Sequence, residues 1–349
     1  MTEKIIQKKE FSSVLKRLQE GYQVFAPVKE GDYHNFQDLG EGGEPDFNFS
    51  NTRLSPKGLI QPQSEKMFEY SLANDDPEKG VLKEIQSDSA KRAIVGIRPC
   101  DAKAIELVKV NFETKEYTDP YWKRLHDATT FVGLACNHPC STCFCSSTGS
   151  GPFHEEGLDV LLVDAGENYL AKPLTEKGQA VLKAAGISQD AGSAEVEKAS
   201  ALKKQAEAEI SSTVPTEKLR ENSLNELFNA GFWEDVAFSC INCGTCTYLC
   251  PTCWCFDIQD ELYNTKGIRL RNWDACMFPL FTLHGSGHNP RNNKTQRVRQ
   301  RFMHKLKYYV DKYENGPACV GCGRCVMYCP VNIDIRRVFR LMNDFTTAG

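Results

Sequence analysis

Hydrophobic positions in the first 175 residues follow two periods, one typical of amphipathic helices and one of short buried strands. Phe11, Val14, Leu15 and Leu18 recur at steps of three and four, which predicts a helix over residues 11–19. Short apolar runs that predict strands lie at residues 22–28 (ended by Pro27), 92–97, 129–136 and, as a pair around the turn DAGEN, 158–174. A further helix is expected in PCDAKAIELVKV, directly after the second strand. The pattern predicts a mixed α/β part whose strands lead into loops that carry cysteines.

The character of the chain changes after this part. Residues 176–229 contain SAEVEKASALKKQAEAEI, a helix by propensity, and we interpret this stretch as a solvated connector or a surface helix. From about residue 236 a cysteine motif appears twice, beginning at Cys240 and at Cys319. We therefore predict an α+β protein with its boundary near 230–238. A mixed α/β domain with extra cysteine loops spans 1–235, and a mainly helical domain that carries the repeated motif spans 236–349.

Composition indicates an ordinary globular protein with one exception, its cysteines. Of 349 residues, 41% are hydrophobic and 25% are charged. No apolar run reaches the roughly 18 residues of a membrane-spanning helix, and the charged start MTEKIIQKKEF lacks the apolar core of a signal peptide. We expect a cytoplasmic protein without membrane insertion. Sixteen cysteines in a reducing compartment indicate metal binding rather than disulfides.

Charge is unevenly divided between the two parts. Residues 236–349 carry 15 Lys and Arg against 8 Asp and Glu, whereas residues 1–235 carry 27 against 38. A basic segment can bind nucleic acid. This one also holds most of the cysteines, and thiolate-bound clusters are anions that nearby cations stabilise, so we expect no nucleic-acid partner. We interpret the basic stretch at 291–305 as a solvated helix face that compensates this charge; the alternative is a docking surface for an acidic partner.

The repeated motif has the spacing C-x2-C-x2-C-x3-C-P of bacterial two-cluster ferredoxins, so we predict that residues 236–349 form a bacterial two-[4Fe–4S] ferredoxin-like domain. In such a loop three cysteines bind one cubane, and the fourth binds the other cubane. The crossed assignment predicts one [4Fe–4S] cluster on Cys240, Cys243, Cys246 and Cys329, and the other on Cys319, Cys322, Cys325 and Cys250. Gly244, Gly321 and Gly323 allow the tight backbone that the loop needs. Zinc is the alternative, but zinc sites use cysteine pairs rather than triplets followed by Cys-Pro.

Two neighbouring cubanes form a path for the transfer of single electrons. The sequence contains no convincing site for a nucleotide. There is no G-x-G-x-x-G after a predicted strand and no phosphate-binding P-loop. The flavin and nucleotide that such a path serves are therefore expected on partner subunits.

Eight cysteines lie outside the two motifs, and two C-x-C pairs stand out among them, in CFC and CWC. We expect at least one further metal centre, another iron–sulfur cluster built between the two domains. The candidate ligands are Cys136, Cys143, Cys145, Cys253, Cys255 and Cys276, with Cys100 possible. Cys140 is taken as incidental. The alternative is that these residues are packing residues or free thiols, as Cys276 with its apolar neighbours could be.

Several stretches carry a family resemblance that extends over most of the chain. They are VFAPV, SPKGLIQPQSEKMFEY, RPCDAKAI, ACNHPCSTCFC, CINCGTCTYLCPTCWC, RNWDACMF, GSGHNPR and CVGCGRCVMYCP. The chain resembles the iron–sulfur beta subunit of cytoplasmic sulfhydrogenases, which are bidirectional nickel–iron hydrogenases, and the corresponding subunit of anaerobic sulfite reductase. Cys140 and Arg98 depart from the family pattern, which counts against Cys140 as a ligand.

The resemblance implies an electron-transfer subunit of an anaerobic, multi-subunit oxidoreductase. Its partners would be a flavin subunit that handles NAD(P)H and a catalytic subunit of hydrogenase, sulfite reductase or heterodisulfide reductase-like type. No residue of this chain is then predicted to be catalytic. Two alternatives stay open: the chain reduces a substrate itself at an unusual cluster in the N-terminal domain, or it is an iron–sulfur sensor or regulator.

Overall fold

The computed structural model describes residues 2–85 and 90–346 and contains two β-sheets and a series of mostly short helices. The strands are β1 Lys4–Gln7, β2 Gln23–Glu30, β3 Tyr33–Asp38, β4 Ser64–Ser71, β5 Lys83–Glu84, β6 Arg92–Ile97, β7 Thr129–Leu134, β8 Val160–Asp164, β9 Asn168–Pro173, β10 Phe256–Tyr263 and β11 Lys266–Trp273. The helices are α1 Phe11–Gln19, α2 Pro99–Lys109, α3 Pro120–Ala128, α4 Glu176–Ala184, α5 Ser193–Glu209, α6 Leu224–Phe228, α7 Phe232–Ala237, α8 Thr245–Tyr248, α9 Lys294–Met303, α10 Tyr309–Tyr313, α11 Arg324–Met327 and α12 Ile335–Asn343.

The larger sheet organises the N-terminal part. Its strand order is β1-β9-β8-β7-β6-β2-β3, with the four central strands β8, β7, β6 and β2 parallel and the outer pairs antiparallel. Helices α1 and α4 pack on one face through residues such as Leu15 and Leu182. Helices α2, α3 and α5 cover the other face through Ile105, Trp122 and Ala199. The predicted mixed α/β architecture is confirmed.

The elements predicted from periodicity agree with these strands and helices, with one correction. The helix over 11–19 and the strand over 92–97 have the predicted bounds. The prediction that Pro27 ends the first strand is wrong, because β2 continues to Glu30. Pairing with β6 stops at Phe25, so Pro27 removes no hydrogen bond to that neighbour, while antiparallel pairing with β3 continues past it.

The smaller sheet joins the N-terminal and C-terminal parts of the chain. Its order is β10-β11-β4-β5, entirely antiparallel, so β4 from the first part pairs with β11 from the last. Arg271 on β11 is buried, and its guanidinium lies 2.6 Å from Glu65 and 2.6 Å from Asp119. The domain boundary near residue 236 stays a prediction, and this sheet takes strands from both sides of it.

The C-terminal part consists of helices with a core of their own and the hairpin β10–β11, which belongs to the smaller sheet. Trp233, Phe302, Phe339 and Met342 form the centre of its core. Helices α9 and α10 form one continuous rod, interrupted by a π-helical turn at His304–Tyr308. Such turns re-aim side chains and are frequent at functional sites. Within the described residues no helix has the length and apolarity that crossing a membrane demands.

Arg271 is expected to hold the smaller sheet to the rest of the protein. Replacing Arg271 by Met should lower the free energy of unfolding by about 3–5 kcal/mol, because it leaves two partly buried carboxylates without their buried cation. Arg269→Met is the matched control on the same strand, since its pair with Asp260 is exposed to solvent and should contribute little to stability. Anaerobic urea unfolding followed by tryptophan fluorescence measures both; equal midpoints for the two variants would contradict the expectation.

Candidate iron–sulfur centres

The first cysteine motif forms a loop that leads into the short helix α8. Gly244 precedes the helix with φ 75°, and a Cβ there would lie 2.8 Å from the ring of Phe278, so only glycine fits. The sulfur of Cys240 accepts a hydrogen bond from the backbone N–H of Asn242 at 3.4 Å. Cys243 is exposed, which places this loop at the protein surface.

The second motif repeats the same backbone geometry in a buried position. Gly323 precedes α11 with φ 73°, matching Gly244 before α8. Cys319 is buried, and the flanking Ala318 and Val320 are almost completely covered. Burial raises the pKa of Cys322 to about 12, so this thiol needs a metal or a cation nearby before it can serve as a thiolate. The sequence repeat is therefore a structural repeat with one exposed and one buried copy.

The fourth cysteine of each motif lies with the first three of the other. Cys329 lines a small cavity together with Cys240, Cys243 and Cys246. Cys250 lies close enough to the second motif that its thiolate charge raises the pKa of each of Cys319, Cys322 and Cys325. The placement suits crossed ligation, and the assignment of individual ligands stays a prediction.

The spacing of the sulfurs discriminates between kinds of metal site. Among residues 2–85 and 90–346, no three cysteine sulfurs lie within 4.8 Å of one another. A single tetrahedral zinc with bonds of about 2.3 Å would hold them roughly 3.8 Å apart. A cubane spaces its thiolates more widely, because four irons stand between them. Both four-cysteine sets therefore fit [4Fe–4S] clusters, which when bound accept and donate single electrons.

Two buried cations of the rod α9–α10 face the cysteines. Arg301 donates to the carbonyl of Cys246 at 3.1 Å, and Lys305 donates to the hydroxyl of Thr252 at 2.8 Å. Burial alone would lower the pKa of Lys305, but the Cys250 and Cys253 thiolates outweigh it and hold the pKa above its ordinary value. The prediction of a solvated face at 291–305 is wrong for these residues, because one side of the helix packs against the motifs.

A third buried cation comes from the N-terminal part. The ammonium of Lys57 donates to the carbonyls of Cys250 at 2.9 Å and Cys253 at 2.8 Å, and it lies 4.2 Å from the ring centre of Trp273. Desolvation lowers its pKa, and Cys253 is the strongest opposing charge. Sequence reasoning missed Lys57 as a site residue; the only signal was its position within the family stretch SPKGLIQPQSEKMFEY.

Three of the surplus cysteines lie together beside the second ferredoxin set. Cys253, Cys255 and Cys276 line one small cavity, which His304 and Lys305 also line. A hydrogen bond from the Cys276 thiol lowers the pKa of Cys255 to about 7. Cys276 is buried, as its apolar neighbours suggested, but it faces another thiol rather than only apolar side chains.

The remaining candidates form a second group in the N-terminal part. Cys100, Cys136, Cys143 and Cys145 lie where β6 and β7 end, so the structure separates the seven candidates into two groups rather than one. Cys140, which sequence reasoning set aside, belongs with this group. A hydrogen bond from the Cys143 thiol lowers the pKa of Cys140 to about 6.

Comparison with known proteins identifies the C-terminal motifs. A family model described as "4Fe-4S dicluster domain" matches residues 239–333. The chain is 28% identical over 326 residues to sulfhydrogenase 2 subunit beta of Pyrococcus furiosus, which covers 93% of this chain and 93% of the relative. No solved structure matches the chain.

These similarities confirm the family resemblance and the predicted pair of cofactors. The protein is an iron–sulfur protein with two [4Fe–4S] clusters in its C-terminal part and an electron-transfer role. The number and the ligands of any further clusters stay predictions.

Crossed ligation predicts which cysteine variants perturb the same cluster and therefore the same electron paramagnetic resonance signal. Cys329→Ser should perturb the same electron paramagnetic resonance signal as Cys240→Ser, and Cys250→Ser should perturb the same signal as Cys319→Ser. Each variant should lose up to about four irons, the content of one cubane. Uncrossed ligation would instead make Cys329→Ser resemble Cys319→Ser.

Lys305 is expected to tune the reduction potential of the set that includes Cys250. Lys305→Met should lower that potential by tens of millivolts, because the lysine cation stabilises the reduced cluster, which is more negative than the oxidised one. For a one-electron couple, about 59 mV corresponds to a tenfold change in the equilibrium constant. Lys307→Met is the matched control, since this equally buried lysine bonds instead to the carbonyl of Leu219 and to Asp311. Anaerobic redox titration should show no shift in the control; equal shifts would contradict the assignment to Lys305.

Proposed function

We propose that this chain is the electron-transfer subunit of a cytoplasmic, multi-subunit oxidoreductase, relaying electrons between an NAD(P)H and flavin subunit and a catalytic subunit. The main support is the pair of four-cysteine sets that share one buried cation. Arg301 donates to the Cys246 carbonyl in the first motif, and its guanidinium also interacts with Cys325 of the second. Two adjacent sets, one exposed and one buried, suit passage of electrons through the chain.

The exposed motif offers a place for a redox partner to dock. Cys243 reaches the surface, and beside it Ile241 is 62% exposed and Phe238 is 83% exposed. Contiguous exposed apolar patches mark interaction sites, and these two side chains supply apolar surface beside a cluster ligand. The partner is proposed here because electron transfer needs its cofactor to come close to the cluster that Cys243 would bind.

The type of complex is inferred from the relative. That protein is named as a beta subunit of a sulfhydrogenase, which supports a catalytic partner of hydrogenase type. A sulfite reductase or heterodisulfide reductase-like partner would use the same relay. Since the sequence carries no nucleotide-binding motif, we place the flavin and NAD(P)H on another subunit, and we keep residues 1–235 and 236–349 as the proposed domains.

Reduction of the purified chain tests this proposal. Under anaerobic conditions dithionite should bleach the iron–sulfur absorption of the isolated chain, and NADPH or NADH alone should not. Adding a flavoprotein that oxidises NAD(P)H should make the pyridine nucleotide an effective reductant. Bleaching of the isolated chain by NADPH would contradict the need for a flavin partner.

A second candidate function is favoured by an open cleft in the N-terminal part. The cleft has a volume of about 560 Å³, and its lining includes the cations Arg98 and Lys198, the carboxylate Asp164 and the candidate cluster ligand Cys136. Because Asp164 pairs with Lys8, the two cations beside Cys136 suit a small anionic substrate that this chain would reduce itself. Turnover of sulfite or polysulfide by the isolated chain with reduced viologen as donor would favour this function; its absence would favour the relay alone.

A further inference from the structure

Five cysteines outside both ferredoxin motifs gather at the carboxyl edge of the larger sheet. Cys100 opens α2 directly after β6, Cys136 follows β7, and Cys140, Cys143 and Cys145 lie in the loop that leads to β8. Cys143 lies close enough to Cys140, Cys100 and Cys136 that their thiolate charges would raise its pKa. Cys136 acts on the pKa of Cys145 in the same way. The carboxyl edge of parallel strands is where α/β folds build their sites.

We infer that this five-cysteine set holds an iron–sulfur cluster of its own, separate from a centre at Cys253, Cys255 and Cys276. The chain then carries two centres beyond its ferredoxin pair, one in the N-terminal part and one beside Cys250. The use of the N-terminal centre in electron transfer rests on the proposed function, but its existence does not.

The chemistry of the sulfurs favours iron–sulfur ligation over the alternatives. All sixteen cysteines are free thiols, so the set is not consumed by disulfides. Across the described residues three cysteine sulfurs never come within 4.8 Å of one another, which disfavours a mononuclear zinc site here as well. The Cys140 and Cys143 thiols are hydrogen-bonded to each other, but no third cysteine sulfur of the described residues joins them at the spacing of a tetrahedral zinc site.

Arg98 provides independent support, because no carboxylate of the described residues forms an ion pair with its buried side chain. Asp164 lines the same cleft but lies 2.6 Å from Lys8 instead. The Arg98 side chain is only 5% exposed, and it donates to the carbonyls of Ala135 at 2.8 Å, Leu134 at 3.2 Å and Phe49. Its Nε atom has no hydrogen-bond partner, and no ion pair to it occurs within residues 2–85 and 90–346. An unbalanced buried cation is costly. A thiolate-bound cluster beside Cys136 is an anion that would balance it.

The other buried arginine of this region differs in being already balanced. Arg324 is 1% exposed, lies 2.6 Å from Asp101 and donates to the carbonyl of Thr52 at 2.8 Å. It therefore fixes the second ferredoxin motif against α2 without needing a further anion. Arg98 is the cation whose charge a cluster on the five-cysteine set would balance.

The loop of the set packs directly on the second ferredoxin motif. The N–H of Phe144 donates to the carbonyl of Gly321 at 2.9 Å. A Cβ on Gly321 would lie 2.5 Å from the backbone nitrogen of Cys145, and one on Gly323 would lie 2.7 Å from the carbonyl carbon of Thr142. Because the two backbones touch, a cluster on the five-cysteine set would be an immediate neighbour of the buried ferredoxin set.

Iron counting in paired variants of the full chain tests the inference. Cys136→Ser combined with Cys143→Ser should lose about four irons and one electron paramagnetic resonance signal, while the signals of the ferredoxin pair remain. Cys253→Ser combined with Cys255→Ser should remove a different signal. Ser150→Ala is the control from the same loop, since its buried hydroxyl has no hydrogen-bond partner, and it should retain all iron.

Two results would overturn the inference: unchanged iron in the Cys136 and Cys143 variant, or loss of one and the same signal in both paired variants. If the paired variant does not fold, alkylation of the wild-type chain decides. The five thiols should resist a maleimide in the iron-loaded chain and react once iron is chelated; equal reaction in both states would overturn the inference. Failure to accept electrons from a flavoprotein would contradict the proposed function and leave the iron count unchanged.

Discussion

Burial of positive charge beside cysteine sulfur is the constraint on which the arrangement of this protein depends. Lys57, Arg301 and Lys305 are all withdrawn from water, and the desolvation of each such ion costs several kcal/mol unless an opposite charge lies nearby. Their neighbours are backbone carbonyls and the thiols of Cys250, Cys253 and Cys246. Those thiols supply the balancing charge only as thiolates, the form in which they bind metal. Folding of this region and loading of its clusters are therefore coupled.

The same constraint explains why the two parts of the chain interlock. A cation from the N-terminal part, Lys57, caps the carbonyls at the end of the first motif, and a cation from the second motif, Arg324, is fixed by Asp101 of α2. The pairing of β4 with β11 adds a continuous sheet to these contacts. The dicluster region is consequently built into a larger frame, which covers its second motif and leaves its first motif exposed.

Local signals in the sequence predicted local features well. The helix at 11–19 follows from its apolar spacing, and the two cluster loops follow from cysteine spacing and glycine positions. Features made by distant residues could not be predicted in this way. The pairing of β4 with β11, the contact of Lys57 with Cys250 and the separation of the surplus cysteines into two groups depend on how the chain packs. Cys140 was set aside because it departs from the family pattern, and its hydrogen bond with Cys143 becomes visible only in three dimensions.

The close contact of residues 142–145 with Gly321 and Gly323 also bears on the order of biosynthesis. A chain is made from its N-terminus, so this loop leaves the ribosome long before the second motif does. The loop forms one wall of the buried site before the other wall exists. Crossed ligation imposes the same wait on the first motif, although Cys243 reaches the surface, because its fourth ligand is Cys329. Completion of both ferredoxin sets thus waits for the second motif to leave the ribosome.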